Sequence, residues 1–140
     1  MPLREEALKP VLPARHLAAR PKGPVAVAAL RDDAGVVGAA GTGHHALVID
    51  TCRSLGGYEP DVRHRSKRRR RLGRLVRTTG AVALMPLLTL PPNDPALAVR
   101  DIREAGIRRR LMTVTRDGLP APALSAFLAA LEECAAEVAP

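Results

Sequence analysis

Three groups of residues in this 140-residue chain have types and spacings that can carry chemistry. The first is the turn Gly41, Thr42, Gly43 and His44, which follows the short apolar stretch 34–38 and opens a helical pattern. Glycine lets a backbone approach a ligand closely. A helix start presents N–H groups with partial positive charge, so such a turn accepts an anion without a charged side chain. The bland alternative is an ordinary strand-to-helix turn with Thr42 as its N-cap. The second group is His64 and Ser66, at the end of a second strand pattern. Ligands of open α/β sheets collect outside the carboxyl ends of strands. The alternative there is a strand-end histidine and another N-cap. The third group is Lys67, Arg68, Arg69, Arg70, Arg71 and Arg74, a basic run able to meet phosphates or to stand as a solvated helix face.

Other chemistries find little support. The chain has no Gly-x-Ser-x-Gly, no Cys-x-x-Cys, and no P-loop lysine after its Gly-Thr-Gly. His44 and His45 are neighbours, so on a helix they point about 100° apart. They make a poor metal pair and are expected to face solvent. Cys52 lies about two helical turns from His44, too far to form a nucleophile pair. The expectation is a protein that is not an enzyme and uses neither metal nor cofactor. A minor reading, an α/β enzyme, lacks a nucleophile and an acid–base set.

Composition narrows the class. The length suits one domain or half of a two-lobed one. Apolar residues are 46% of the chain but aromatic residues only 1%, so Ala, Val and Leu must build the core. Base stacking, which needs aromatic platforms, is a poor fit. The formal charge is +8, yet nine of the 22 basic residues fall in 63–77, which has no acid. The other thirteen are offset by the 14 acidic residues, so the chain is near neutral apart from one basic segment. Cys52 and Cys134 both fall on apolar helical faces and read as reduced core thiols, as in a reducing cytoplasm. No apolar run approaches a membrane span, and the residues Met1-Pro-Leu-Arg-Glu-Glu do not read as a secretory h-region. The excess of Arg over Lys, with abundant Ala, matches a GC-rich bacterial source.

Hydrophobic periodicity then supplies the elements that must hold these residues. Residues 7–12 read as a strand whose Pro10 suits an edge or crossover, and 13–24 as loop. A short helix falls at 24–33, a buried strand at 34–38 and a helix at 43–55 with inward Ala46, Leu47, Ile49 and Cys52, closed by Gly56-Gly57. A second strand covers 58–65. Ser66 is expected to cap a helix with Leu72, Leu75, Val76 and Thr79 inward, ended by Gly80. A buried strand at 81–85, a helical turn at 87–90 and a loop at 91–95 follow. Segments 97–102 and 109–116 are expected to pair around Glu104-Ala-Gly106. A final helix at 121–138 carries the stripe Leu124, Phe127, Leu128, Leu131, Cys134 and Val138. The alternation predicts an α/β, Rossmann-like open sheet with parallel strands.

The order of these pieces resembles the effector-binding (substrate-binding) region of LysR-type transcriptional regulators. The matching residues are Pro2-Leu-Arg-Glu-Glu with Val11-Leu-Pro and Leu17-Ala-Ala-Arg-Pro, then Gly41-Thr-Gly-His with Cys52-Arg, and Gly57-Tyr-Glu-Pro with Val62. They continue with Leu75-Val, Gly80-Ala-Val-Ala-Leu-Met-Pro, Arg109-Arg-Leu and Val114-Thr-Arg. The resemblance implies one lobe of a two-lobed, periplasmic-binding-protein-like (type 2) fold. Residues 1–24 would be a crossover strand and loop, 25–102 the effector-binding lobe, and 103–140 a returning strand and C-terminal helix. It implies a cytoplasmic homo-oligomer that binds a small, anionic effector without transforming it. The ligand would contact Gly41, Thr42, Gly43, His44, His64 and Ser66. DNA would be met through a helix-turn-helix absent from this chain, and with half a cleft the isolated protein should bind weakly or not at all. Members of that family usually fill the helix start at 67–71 with acidic or neutral residues. The alternative function is a small basic nucleic-acid-binding protein acting through 63–77.

Overall fold

The computed structural model describes residues 1–90, 93–104 and 106–138. Pro91, Pro92 and Ala105, expected in connections, lie outside the described residues. The chain divides into two compact units, Ala7–Ile107 and a smaller one made of Met1–Glu6 with Arg108–Pro140.

The larger unit is a mixed open sheet. Its strands are β1 (Pro2–Pro13, shared with the smaller unit), β2 (Ala34–Gly38), β3 (Asp61–Ser66), β4 (Val82–Pro86) and β5 (Leu97–Val99), in the order β3-β2-β4-β1-β5. β2 runs parallel to β3 and β4, as the alternation predicts. β1, however, is antiparallel to both β4 and β5, so the sheet is not uniformly parallel. Consecutive residues point to opposite faces. Leu12, Val37 and Leu84 therefore join one apolar cluster, with Val27, Leu30, Val48 and Cys52. Val11, Val36, Ala83 and Met85 join the other, with Leu72 and Val76. Helix α1 (Gly43–Thr51) covers the first face and α2 (Arg70–Thr79) the second. Both helical segments end as expected, on Gly57 and Gly80 with left-handed φ of 68° and 76°. Side chains rarely adopt that conformation, and glycine does so at no steric cost.

Pro10 does not lie on an edge. It sits between β4 and β5, level with Leu84. Its carbonyl turns toward β5 and accepts from the Arg100 N–H at 3.0 Å, just past the end of that strand. The donor that proline lacks thus falls where the ladder is already ending, and the interior position is tolerated. The expected pairing of 97–102 with 109–116 does not form. β5 and the last strand, β6 (Arg108–Met112), each pair with β1 instead.

α1 continues through a π-helical segment, Cys52–Gly56. Its buried side chains are His44, Val48, Thr51 and Cys52; of the expected Ala46, Leu47, Ile49 and Cys52, Cys52 is buried, Leu47 packs half-buried against the same cluster, Ile49 is half-buried and Ala46 is exposed. Two of the four buried side chains are polar, so the apolar pattern misleads. In α2 the expected Leu72 and Val76 are buried and Leu75 is half-buried, but Thr79 is exposed. Gly73 is buried as well, while Arg70, Arg71, Arg74 and Arg77 are exposed. Ser66 does not cap this helix. Its Oγ accepts from the Arg68 N–H at 3.1 Å in a local turn, and α2 begins after Arg69 with no side-chain cap and no acid in its first turn.

In the smaller unit β6 pairs with β1, and Met1 and Thr113 exchange backbone hydrogen bonds, each of 3.0 Å. Helix α3 (Pro122–Glu137) ends on the Arg4 guanidinium, which donates to the carbonyls of Ala135 (2.8 Å) and Val138. A cation there complements the helix dipole. Glu6, wholly buried, is ion-paired with Arg109. The α3 stripe is not a core face. Leu124, Phe127, Cys134 and Val138 are exposed, and Leu128 and Leu131 are half-buried. Cys134 is therefore a surface thiol, against expectation. A pair of strands has too little apolar surface to cover a helix of this length.

Two substitutions on α2 separate packing from charge. Leu72→Ala is expected to lower stability by about 2–5 kcal/mol, because it leaves a cavity beneath the helix. Arg71→Glu is expected to raise stability by about 0.3–1 kcal/mol, since an acid in the first turn favours the dipole. Urea unfolding of the two variants against the parent checks both signs.

Candidate functional site

The parallel pairing of β2 and β3 sets Gly38 level with Ser66, so both carboxyl ends lie side by side. A recess of about 430 Å³ opens there. One wall is the turn from Gly38 through Thr42 with His44; the other is Ser66, Lys67 and Arg69.

The turn is internally braced. The Thr42 hydroxyl donates to the Ala39 carbonyl at 2.7 Å and accepts from the His45 N–H at 3.3 Å, making it the N-cap of α1. The first N–H groups of a helix have no intrahelical partner. Among the described residues the Gly43 N–H takes no part in the turn's own hydrogen bonds. His44 is buried, contrary to the expectation that both histidines face solvent. Its Nδ1 accepts from the Gly38 N–H at 3.0 Å, so the ring is neutral with its proton on Nε2, which donates to the Leu84 carbonyl at 2.8 Å. The packing is close: a β-carbon on Gly38 would lie 3.1 Å from both His44 Nδ1 and Thr42 Oγ1. His44 thus offers the recess its main chain, while its imidazole works as a bracket within the sheet.

Of the residues singled out from sequence, Thr42, His44 and Ser66 line one recess. Gly41 (φ 80°) and Gly43 belong to the same turn without forming its wall. His64 lies two residues up β3, level with Val36, and is half-buried away from the recess. Lys67 and Arg69, which sequence reasoning placed in a separate basic segment, stand on the recess wall. The available signal was their position directly after the strand end at Ser66.

The basic segment is unevenly compensated. Arg63 pairs with Asp61 (2.7 Å), Arg65 donates to His45 Nδ1 (2.9 Å) and Arg77 pairs with Asp94 (3.4 Å). Lys67, Arg68, Arg69, Arg70, Arg71 and Arg74 have no carboxylate partner among the described residues.

The profile of the LysR substrate binding domain matches residues 1–136. The chain belongs to the LysR substrate-binding domain family. Its fold is similar to OxyR of Corynebacterium glutamicum, at 21% identity and TM-score 0.76, covering 98% of this chain and 43% of that one. The regulatory domain of Synechocystis PCC6803 CcmR, solved with 2-PG, matches at 18% identity and TM-score 0.73, covering 99% and 67%. The effector binding domain of QuiR, solved with shikimate, matches at 17% identity and TM-score 0.74, covering 98% and 65%. The chain therefore spans less than half of that OxyR chain and about two-thirds of the two ligand-bound domains. At these identities the likeness carries the fold, an open α/β sheet of the periplasmic-binding-protein type. No curated protein is significantly similar in sequence.

One arrangement in this LysR domain was not anticipated. His16 and Asp33 stand 2.9 Å apart on a groove of about 660 Å³. The His16 Nδ1 accepts from the Ala18 N–H at 3.0 Å, leaving Nε2 to donate to Asp33. Both ring nitrogens are committed to the chain, so the pair braces a loop and presents no free base to the groove. Cys52 is equally inert: burial pushes its thiol up, a hydrogen bond with Tyr58 opposes that, and no thiolate is favoured. No described helix is long and apolar enough to cross a membrane.

Two outcomes test this geometry. With a disulfide thiol reagent, Cys134 is expected to react in the folded protein and Cys52 only after denaturation, so the thiol count should rise from one to two. His44→Ala should cost about 2–4 kcal/mol in a denaturant titration, because two buried backbone groups lose their partner. His45→Ala, which loses only the Arg65 contact, should stay within about 0.5 kcal/mol.

Proposed function

We propose that this chain is the ligand-sensing part of a LysR-type transcriptional regulator, and that it binds a small anion at the β2–β3 recess without transforming it. The observation that carries this reading is the level pairing of Gly38 with Ser66. It sets a backbone-rich helix start opposite the cations Lys67 and Arg69. Main-chain N–H groups at a helix start and charged donors both favour an anion, and charged donors make the stronger hydrogen bonds. Gly41, Thr42, Gly43, His44 and Ser66 then serve mainly through backbone and hydroxyl groups. Two solved relatives of the same fold hold 2-PG and shikimate, which supports a small-molecule effector here.

In a full regulator, binding would shift the balance between two arrangements of an oligomer and so change its hold on DNA through a separate helix-turn-helix. We place that regulator in the cytoplasm. Side chains with both ring nitrogens committed, one accepting and one donating, as at His16 and His44, suit recognition better than proton transfer.

Inorganic phosphate is a simple probe. In an NMR titration at low ionic strength, the amides of 39–43 and 66–69 are expected to shift, with a dissociation constant in the millimolar range. Arg69→Gln should weaken binding about tenfold or more, the size of one charge-assisted hydrogen bond. Shifts confined to other regions, or an affinity indifferent to Arg69→Gln, would overturn the assignment.

A further inference from the structure

The recess uses Lys67 and Arg69 and leaves Arg68, Arg70, Arg71 and Arg74 without a role. Burial of Leu72, Gly73 and Val76 fixes the rotation of α2. At 100° per residue, Arg71 and Arg74 then lie on the face opposite, while Arg70 stands at its flank, beside Gly73, and all three are exposed. Arg68 stands in the turn just before, also exposed. None has a carboxylate partner among the described residues. Placing them at the start of a helix works against the dipole, and the like charges repel one another. Packing of Leu72 and Val76 holds the helix in spite of that cost, and with no carboxylate paired to them among the described residues the charges stay open to an anionic partner.

We propose that this face of α2, with the turn before it, is a docking surface for the phosphate backbone of double-stranded nucleic acid, independent of sequence. The charges run from the turn before the helix through just over one helical turn, about 9 Å at 1.5 Å per residue, which is too long for one small anion to neutralise. A duplex supplies phosphates continuously along such a length. All four side chains are arginine, whose planar fork meets phosphate oxygens two at a time. No aromatic side chain stands among them, which removes base stacking and with it any preference for single strands. The apolar residues of α2 are turned inward, so the face has nothing to insert into a lipid surface.

The test compares the chain with the triple variant Arg68→Gln, Arg71→Gln, Arg74→Gln, none of which lines the recess. Binding to a random-sequence 20-base-pair DNA duplex is followed by fluorescence anisotropy between 50 and 200 mM salt. Four phosphate contacts, from Arg68, Arg70, Arg71 and Arg74, predict a logarithmic salt slope of about −3.6 and about a hundredfold loss of affinity over that range. The triple variant should retain about a quarter of that slope, bind the duplex far more weakly at 50 mM, and bind inorganic phosphate at the recess as the parent does. Thermal unfolding of the variant should occur at or above the parent temperature, which keeps misfolding apart from loss of contact. Three outcomes overturn the proposal: no duplex binding at 50 mM salt, binding equal in the variant, or tighter binding to polyglutamate or phosphatidylserine vesicles than to the duplex. Loss of phosphate binding with intact duplex binding would instead count against the recess alone.

Discussion

A single buried imidazole ties the larger unit together. His44 stands one residue inside α1, yet its ring reaches back to the Gly38 amide at the end of β2 and across to the Leu84 carbonyl of β4. Three elements meet at that ring. A buried polar side chain is costly unless every donor and acceptor is met, and here both nitrogens are met by main chain. The consequence is geometric: the start of α1 cannot tilt away from the carboxyl ends of the parallel strands. The shape of the recess follows, because its first wall is the turn that His44 holds and its second begins at Ser66, set level with Gly38 by strand register.

The charge distribution sits on this frame without being neutralised by it. The cations at both ends of the basic segment have partners in Asp61, His45 and Asp94, whereas the middle six have none among the described residues. Packing decides how the six divide. Lys67 and Arg69 precede the helix and turn to the recess; Arg70, Arg71 and Arg74 are carried outward by the burial of Leu72 and Val76. A run of like residues in sequence thus becomes two electrostatic features with different demands. One suits a small anion and the other an extended chain of phosphates.

The smaller unit follows a different rule. Its hold comes from charge and backbone: Arg4 on the last carbonyls of α3, Glu6 on Arg109, and Met1 against Thr113. Apolar packing is thin, since Leu124, Phe127 and Val138 are exposed. An ion pair with one buried member such as Glu6–Arg109 adds little net stability over an apolar pair, but losing Arg109 takes a cationic partner from a buried carboxylate. The pair is better viewed as fixing which residues of β1 and β6 face each other.

Local chemistry was enough to read the elements that carry their own signals. The strand at 34–38, the Thr42 cap, the glycine stops at Gly57 and Gly80 and the amphipathic helix α2 are written in short-range patterns, and a family resemblance followed from their order. Long-range pairing was not written there. Pro10 reads as an edge or crossover residue because its missing donor is a local fact, while the reason it is harmless between two strands, the end of β5 beside it, is a tertiary one. The inward face of α1 was misread because His44 and Thr51 are polar, and only their partners, Gly38, Leu84 and Leu47, make burial favourable. Cys134 and the α3 stripe carry a helical apolar pattern, yet the unit that holds them has too little surface to cover it. Periodicity states which face of an element prefers burial. Whether that face is buried, and which distant residues meet there, depends on what the rest of the chain brings to it.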